Sequence, residues 1–196
     1  MDLPAPKWLS RLPEPQRDAF NGMGMALPPA DILALRSLVA EFQNTKGVFP
    51  SVIEIGSWAG KSAIVMAQAG ATVTCVDHWQ GNVNDGGCKA YDGSAGSPYE
   101  VFLRNTSDLR EQGKIRVFRG SSAEAAEFYA DKQFDIVYID AEHDYDSVKR
   151  DIELWKPRAR HIIAGHDYLA FHGVKEAVDA ALGPPASSGN VWHVKL

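Results

Sequence analysis

Between residues 51 and 165 short apolar runs alternate with amphipathic stretches, and this alternation constrains the fold more than any other feature of the chain. Runs at 51–55, 72–77, 115–119, 134–140 and 160–165 have the length of strands. The stretches between them, near 60–69, 99–111, 121–130 and 144–156, have helical spacing. Upstream, Pro28-Pro29 opens a helix with Ile32, Leu35, Val39 and Phe42 on one face, ending near Lys46-Gly47. Downstream, a helix over 173–182 precedes a last strand, Val191 to Lys195. Such alternation predicts an α/β fold with a doubly wound, mainly parallel sheet that binds ligands at the carboxyl ends of its strands. One strand's worth of residues follows the last helix, so the terminal strand hairpin is expected to be truncated, or completed by a second copy in a homodimer.

The 196 residues suit a single domain over 30–196, behind an irregular arm over 1–29 that holds six of the eleven prolines. A net charge of −5 without a long basic block argues against a duplex nucleic-acid binder. The N-terminus has no apolar signal core, and no run approaches the roughly 20 apolar residues of a membrane span. A cytoplasmic protein with a small-molecule partner, and neither nucleic acid nor membrane, is expected. Cys75 reads as a small core residue and Cys88 as a free thiol, so there is no disulfide framework.

The stretch Val52-Ile-Glu54-Ile-Gly56-Ser57-Trp58-Ala-Gly60-Lys-Ser62 runs from an apolar strand through two glycines into a helix. Glycines let the backbone pass close to a ligand, and the helix start behind them offers N–H groups. Glu54, on the strand before the turn, would repel a phosphate but could hold an ammonium. One strand–helix–strand unit later, Asp77 ends the second strand, where an acid takes the ribose hydroxyls of an adenosine cofactor. Together these suit S-adenosylmethionine, whose tail carries both an ammonium and a carboxylate. The long glycine-rich connection over 80–98 reads as a lid over the site, or as a surface insertion.

Further on, Phe134 to Asp140 is an apolar strand ending in an acid, followed by His143, and the next strand ends in His166-Asp167-Tyr168. Adjacent parallel strands would bring Asp140, His143, His166 and Asp167 to the rim that carries Glu54 and Asp77. Carboxylates with imidazole there could bind Mg²⁺ or another divalent cation, or supply a general base. Asp144 is placed to cap the following helix.

Over roughly 48–195 the chain resembles class I S-adenosylmethionine-dependent methyltransferases. Glu54-Ile-Gly56-Ser57-Trp58-Ala-Gly60-Lys-Ser62 is similar to the first motif of the catechol O-methyltransferase type. Ile139-Asp-Ala-Glu-His-Asp-Tyr145, Gly165-His-Asp-Tyr168 and Gly173-Val-Lys-Glu-Ala resemble a short bacterial group with an I-D-G-x-H-x-Y signature. The resemblance implies a Rossmann-like methyltransferase fold and methyl transfer to a small acceptor, with a hydroxyl oxygen as the target. It also implies that Glu54, Gly56, Ser57, Trp58, Gly60 and Ser62, with Asp140, line the methionine end. Asp77 would hold the ribose, His78 and Trp79 would lie beside the adenine, and Ser121 and Ser122 at its edge. Asp140 and Asp167 fall on the metal positions, with His166 as a further candidate ligand, and His143 falls where the catechol enzymes carry their catalytic lysine. Three departures stand out: Ala141 for a glycine, Lys156-Pro-Arg-Ala-Arg160 for a Lys-Pro-Gly-Gly turn, and no clear counterpart of the metal-site asparagine.

Other readings fit less well. A phosphate loop needs one more residue between its glycines than Gly56 and Gly60 have, which weakens a nucleotide hydrolase. The G-x-G-x-x-G of a dinucleotide oxidoreductase is missing. A non-catalytic cofactor-binding module on the same fold stays open, since fold does not fix function.

Overall fold

The computed structural model describes residues 27–81 and 97–196. Most of the expected arm, Cys88 and the central part of the expected lid lie outside the described residues.

The first helix, α1 (Pro29–Lys46), carries proline at its start and is closed by Gly47 in the left-handed region, with φ 75°. Then follow β1 (Ser51–Ile55), α2 (Lys61–Gln68), β2 (Thr72–Asp77), α3 (Pro98–Asn105), α4 (Ser107–Glu111), β3 (Ile115–Arg119), α5 (Ser122–Phe128) and β4 (Phe134–Ile139). The chain continues through α6 (Tyr145–Trp155), β5 (Ala159–Gly165), α7 (His172–Leu182), β6 (Ala186–Ser188) and β7 (Val191–Lys195). The sheet runs β3-β2-β1-β4-β5-β7-β6. Its first five strands are parallel, β7 is antiparallel to β5, and β6 is antiparallel to β7. Among the described residues no helix is long and apolar enough to cross a membrane.

Alternation along the central strands builds two cores. Val52, Val73, Ile136 and Ile162 face Leu35 and Phe42 of α1, Met66 of α2 and Phe102 of α3. Ile53, Ile55, Val137 and Ile163 face Ala125 of α5, Ile152 and Trp155 of α6, and Val178 of α7. Apolar helices on both faces are what all-parallel strands require.

Three local features depart from the sequence pattern. The helix expected over 99–111 is broken at Thr106, whose buried hydroxyl donates to the carbonyl of Phe102 at 2.7 Å. Such back-bonding bends helices. The Lys156-Pro-Arg turn closes as one 3₁₀ turn over Lys156–Arg158. There the Arg158 guanidinium donates to the carbonyls of Leu154 (2.6 Å) and Ala126 (2.7 Å), replacing flexibility with a clamp. The terminal hairpin is short but formed within the chain: the three exposed residues of β6 pair with β7, so the sheet needs no second copy to complete it.

Candidate active site

Strand order reverses between β1 and β4, and in open sheets a ligand crevice forms at the carboxyl ends flanking such a point. Gly56 there has φ 87°, and a Cβ on it would lie 2.1 Å from the Asp140 carbonyl oxygen, so no side chain fits. Gly60, with φ 84°, turns the chain into α2 close to Thr106. Among the described residues no side chain caps the start of α2. Glu54 is wholly buried, and one carboxylate oxygen, Oε1, accepts from the Ser62 hydroxyl. Burial pushes its carboxyl up to about 7, against the pull of nearby hydroxyls. Glu54 Oε2, Ser57 Oγ, Trp58 Nε1 and the Tyr138 hydroxyl are buried and make no hydrogen bond among the described residues. Glu54 and Tyr138 are register partners on adjacent strands, and Ser57 and Trp58 follow directly after β1. Buried polar atoms are nearly always paired. One carboxylate oxygen beside several donors fits an amino-acid tail with its ammonium and carboxylate.

Asp77 underpins this loop. Its Oδ2 accepts from the backbone N–H of Ser57 (3.1 Å) and Trp58 (2.8 Å), and its Oδ1 from that of Trp79 (2.6 Å). Trp58 (φ 41°) and Trp79 (φ 55°) both lie in the left-handed region. For bulky residues that costs about 1–3 kcal/mol each, and the three charge-assisted hydrogen bonds hold them there. The Trp79 indole donates to the Trp58 carbonyl at 2.7 Å, and its ring packs in the core, 4.8 Å from those of Tyr99 and Phe102. Trp79 therefore supports the loop from beneath. His78 is part-exposed and accepts from the Gln80 N–H at 2.9 Å. The Ser121 hydroxyl caps α5 by accepting from the Glu124 N–H. The Ser122 hydroxyl donates to Asp151 (2.6 Å) and accepts from Trp155 Nε1 (2.9 Å). Both serine side chains are thus engaged in starting α5 and docking it on α6.

Next to the Gly56 turn, at the ends of β4 and β5, the four rim residues come together. Asp140, whose N–H donates to the Ile55 carbonyl at 2.8 Å, follows β4. His166 and Asp167 follow β5, with Asp167 at φ 63°. His143 Nε2 lies 2.9 Å from Asp167 Oδ2. His166 Nδ1 lies 3.2 Å from Asp167 Oδ1 and 3.9 Å from Asp140 Oδ1. The imidazole of His143 stacks on Phe171 at 4.2 Å. Its loop is backed by Gly173 of α7, where a Cβ would lie 2.6 Å from the His143 carbonyl oxygen. Asp144 caps α6, accepting from the Ser147 N–H at 3.0 Å.

The electrostatics follow from this crowding. Burial pushes Asp140 up to about 6, with His166 opposing. Burial also acts to lower His166, but the carboxylates of Asp167, Asp140 and Asp31 outweigh it and raise His166 to about 9. Asp167 goes the other way: despite burial, hydrogen bonds from His143 and His166 hold it well below the usual carboxylate range. Ligand atoms of Asp140, His166 and Asp167 lie within 4.8 Å of one another. Two carboxylates and an imidazole this close would together be able to hold a divalent cation, so the donors fit one.

Two residues at the site went unread in the sequence. Tyr138 looks like one more aromatic of an apolar strand. Asp31, in the first turn of α1, looks like an acid placed for the helix dipole. It is instead fully buried against His166, with Oδ2 3.0 Å from Nε2.

Comparison with known proteins follows the same lines. The family model described as "Methyltransferase domain" matches residues 53–168. No curated protein matches the sequence. Among solved structures, an O-methyltransferase from Bacillus cereus in complex with S-adenosylhomocysteine is 14% identical at a TM-score of 0.66, over 99% of this chain and 93% of that one. CalS11, a calicheamicin methyltransferase, is 16% identical at 0.62, over 96% and 88%. The O-methyltransferase NovP is 18% identical at 0.57, over 84% and 78%. At these identities the likeness is one of fold. The family model, however, spans more than half of the chain, from Ile53 on β1 to Tyr168 beyond β5, and the chain belongs to the methyltransferase-domain family of class I, S-adenosylmethionine-dependent enzymes.

Proposed function

We propose that the chain moves the methyl group of S-adenosylmethionine to a hydroxyl oxygen of a small-molecule acceptor, with His143 as general base. The observation that carries this reading is the His143–Asp167 pair, 2.9 Å apart, in the cluster with Asp140, whose backbone packs against Gly56. Asp167 stays ionised and accepts the Nε2–H, which fixes the tautomer and orientation of the ring, with Nδ1 as the nitrogen that would take the proton. Glu54, Gly56, Ser57, Trp58, Gly60, Ser62 and Asp140 would hold the methionine end, and Asp77 the ribose. His78, Trp79, Ser121 and Ser122 would flank the adenine, the last three through ring edge or backbone, since their polar side-chain atoms are engaged. The acceptor oxygen gives its proton to His143 Nδ1; the O–C bond forms as the S–C bond breaks in line, and S-adenosylhomocysteine leaves. Most of the gain comes from holding the two reacting atoms close and aligned. Asp140, His166 and Asp167 would hold a divalent cation, which when bound lowers the pKa of the acceptor hydroxyl.

Transfer of labelled methyl to a panel of hydroxylated acceptors tests this reading. His143→Ala should lower kcat by about 10²–10⁴-fold, the usual contribution of a positioned base, and leave S-adenosylhomocysteine affinity unchanged. Normal turnover by that variant would remove His143 from the chemistry.

A further inference from the structure

We propose that Asp31 is a positioning residue that makes the rim cluster a nitrogen-bearing cation site, one that selects Mn²⁺, Fe²⁺ or Zn²⁺ over Mg²⁺. This rests on the cation reading given above, and extends it to a residue outside the matched family segment and to the identity of the ion.

A carboxylate is almost never fully buried unless paired, and Asp31 is 0% exposed. Both its oxygens are used. Oδ2 faces His166 Nε2 at 3.0 Å, and Oδ1 accepts from the Asn190 N–H at 2.9 Å. Gly189, at φ 60°, closes over it so tightly that a Cβ there would lie 2.1 Å from Oδ1. The start of α1, the turn between β6 and β7, and the end of β5 therefore meet on this one side chain.

With Oδ1 already accepting from the Asn190 N–H, the other carboxyl oxygen of Asp31 faces Nε2 of His166 as an acceptor, the arrangement that places a proton on Nε2. A cation that displaces the Nδ1 proton now shared with Asp167 would then meet a lone pair on Nδ1, the nitrogen that faces Asp167 and Asp140. A carboxylate behind the remote nitrogen is the usual support of a metal-bound histidine, fixing tautomer and ring orientation. The resulting donors are two carboxylate oxygens and one imidazole nitrogen. Mg²⁺ prefers oxygen and water throughout, whereas an imidazole nitrogen adds affinity for first-row transition ions, least for Mn²⁺ and more for Fe²⁺ and Zn²⁺. Were Asp31 only a plug under the hairpin, nothing would require it to face His166, the imidazole of the three-residue donor set.

The test is calorimetric titration of the metal-stripped full-length protein with Mn²⁺ and with Mg²⁺, Mn²⁺ also being followed by loss of the free-ion paramagnetic signal. S-adenosylhomocysteine is titrated in the same samples. Wild type should bind Mn²⁺ at least about tenfold more tightly than Mg²⁺. Asp31→Asn should weaken Mn²⁺ by about 10–100-fold while S-adenosylhomocysteine affinity holds, a split that a merely structural role would not give. His166→Asp, which makes the donors all oxygen, should erase the Mn²⁺ preference and decides the matter if the Asn variant folds poorly. Equal affinities in wild type, wild-type Mn²⁺ binding by Asp31→Asn, or no cation binding beside normal S-adenosylhomocysteine binding would each overturn the inference alone. Failure of S-adenosylhomocysteine to bind wild type would instead strike the methyltransferase site itself.

Discussion

A carboxyl sealed inside a strand, as Glu54 is, costs the folded protein stability whenever it carries charge. Its folded value of about 7 stands above the ordinary 4.5, so the folded state holds the proton more tightly than the unfolded chain. The stabilisation this gives is complete below the unfolded value and is lost as pH rises through the folded one. Glu54→Gln should therefore stabilise the ligand-free protein near pH 8, by up to about 3 kcal/mol, while weakening S-adenosylhomocysteine binding. Melting curves of both proteins from acid to mildly alkaline pH check this; parallel curves would show that the charge is not the destabilising element. Asp77→Ala should cost about 1.5–3 kcal/mol of S-adenosylhomocysteine affinity, the range for hydrogen bonds to a charged group. It should also lower the melting temperature, because the N–H groups of Ser57, Trp58 and Trp79 lose their acceptor. Glu54 and Asp77 were legible in the sequence because a strand end is a local signal. Asp31 was not: its partners His166 and Asn190 lie 135 and 159 positions away, and no nearby residue announces them.

Elements were legible where hydrophobic spacing decides them, and illegible where a single side chain does. The alternation from β1 to β5 follows from apolar runs alone, but the break at Thr106 comes from one hydroxyl turned back on its own helix. β6 could not be read from Ala186-Ser-Ser188, which has no buried face and exists because β7 offers an edge. The start of α7 is a test of packing at this scale. Gly173→Ala gains about 1 kcal/mol of helix propensity but sets a Cβ 2.6 Å from the His143 carbonyl, a backbone atom. Overpacking of this kind costs about 1–3 kcal/mol, so the overlap wins. The variant should melt lower and lose turnover through displacement of His143, with S-adenosylhomocysteine affinity intact. Kinetics beside calorimetry would separate the two effects, and wild-type kcat would show that the His143 loop can shift at no catalytic cost.

Over the whole molecule, the hairpin does more than extend the sheet. Trp192, fully buried on β7, donates from its indole to the His166 carbonyl at 3.1 Å and packs over Gly165, while Asn190 holds Asp31. Removing residues 186–196 should uncover the β5 edge and give aggregated protein by size exclusion, since exposed hydrophobic edges recruit other strands. A monodisperse, ligand-binding truncation would show the hairpin to be dispensable. The two-sided core that carries all this was legible as strand and helix periodicity, whereas the meeting of α1, the hairpin turn and β5 was not, because it joins segments from both ends of the chain. The contact between Gly56 and the Asp140 backbone has a consequence for descent. A lineage carrying this fold cannot experiment at position 56 without dislodging the backbone that follows β4, so the turn after β1 is fixed and novelty must arise elsewhere. Phe171, 39% exposed and stacked on His143, and Leu169 two residues before it, 66% exposed, are where such drift has room. In a saturation library selected for S-adenosylhomocysteine binding, position 56 should return glycine alone, while positions 169 and 171 return many residues and a widening range of acceptors.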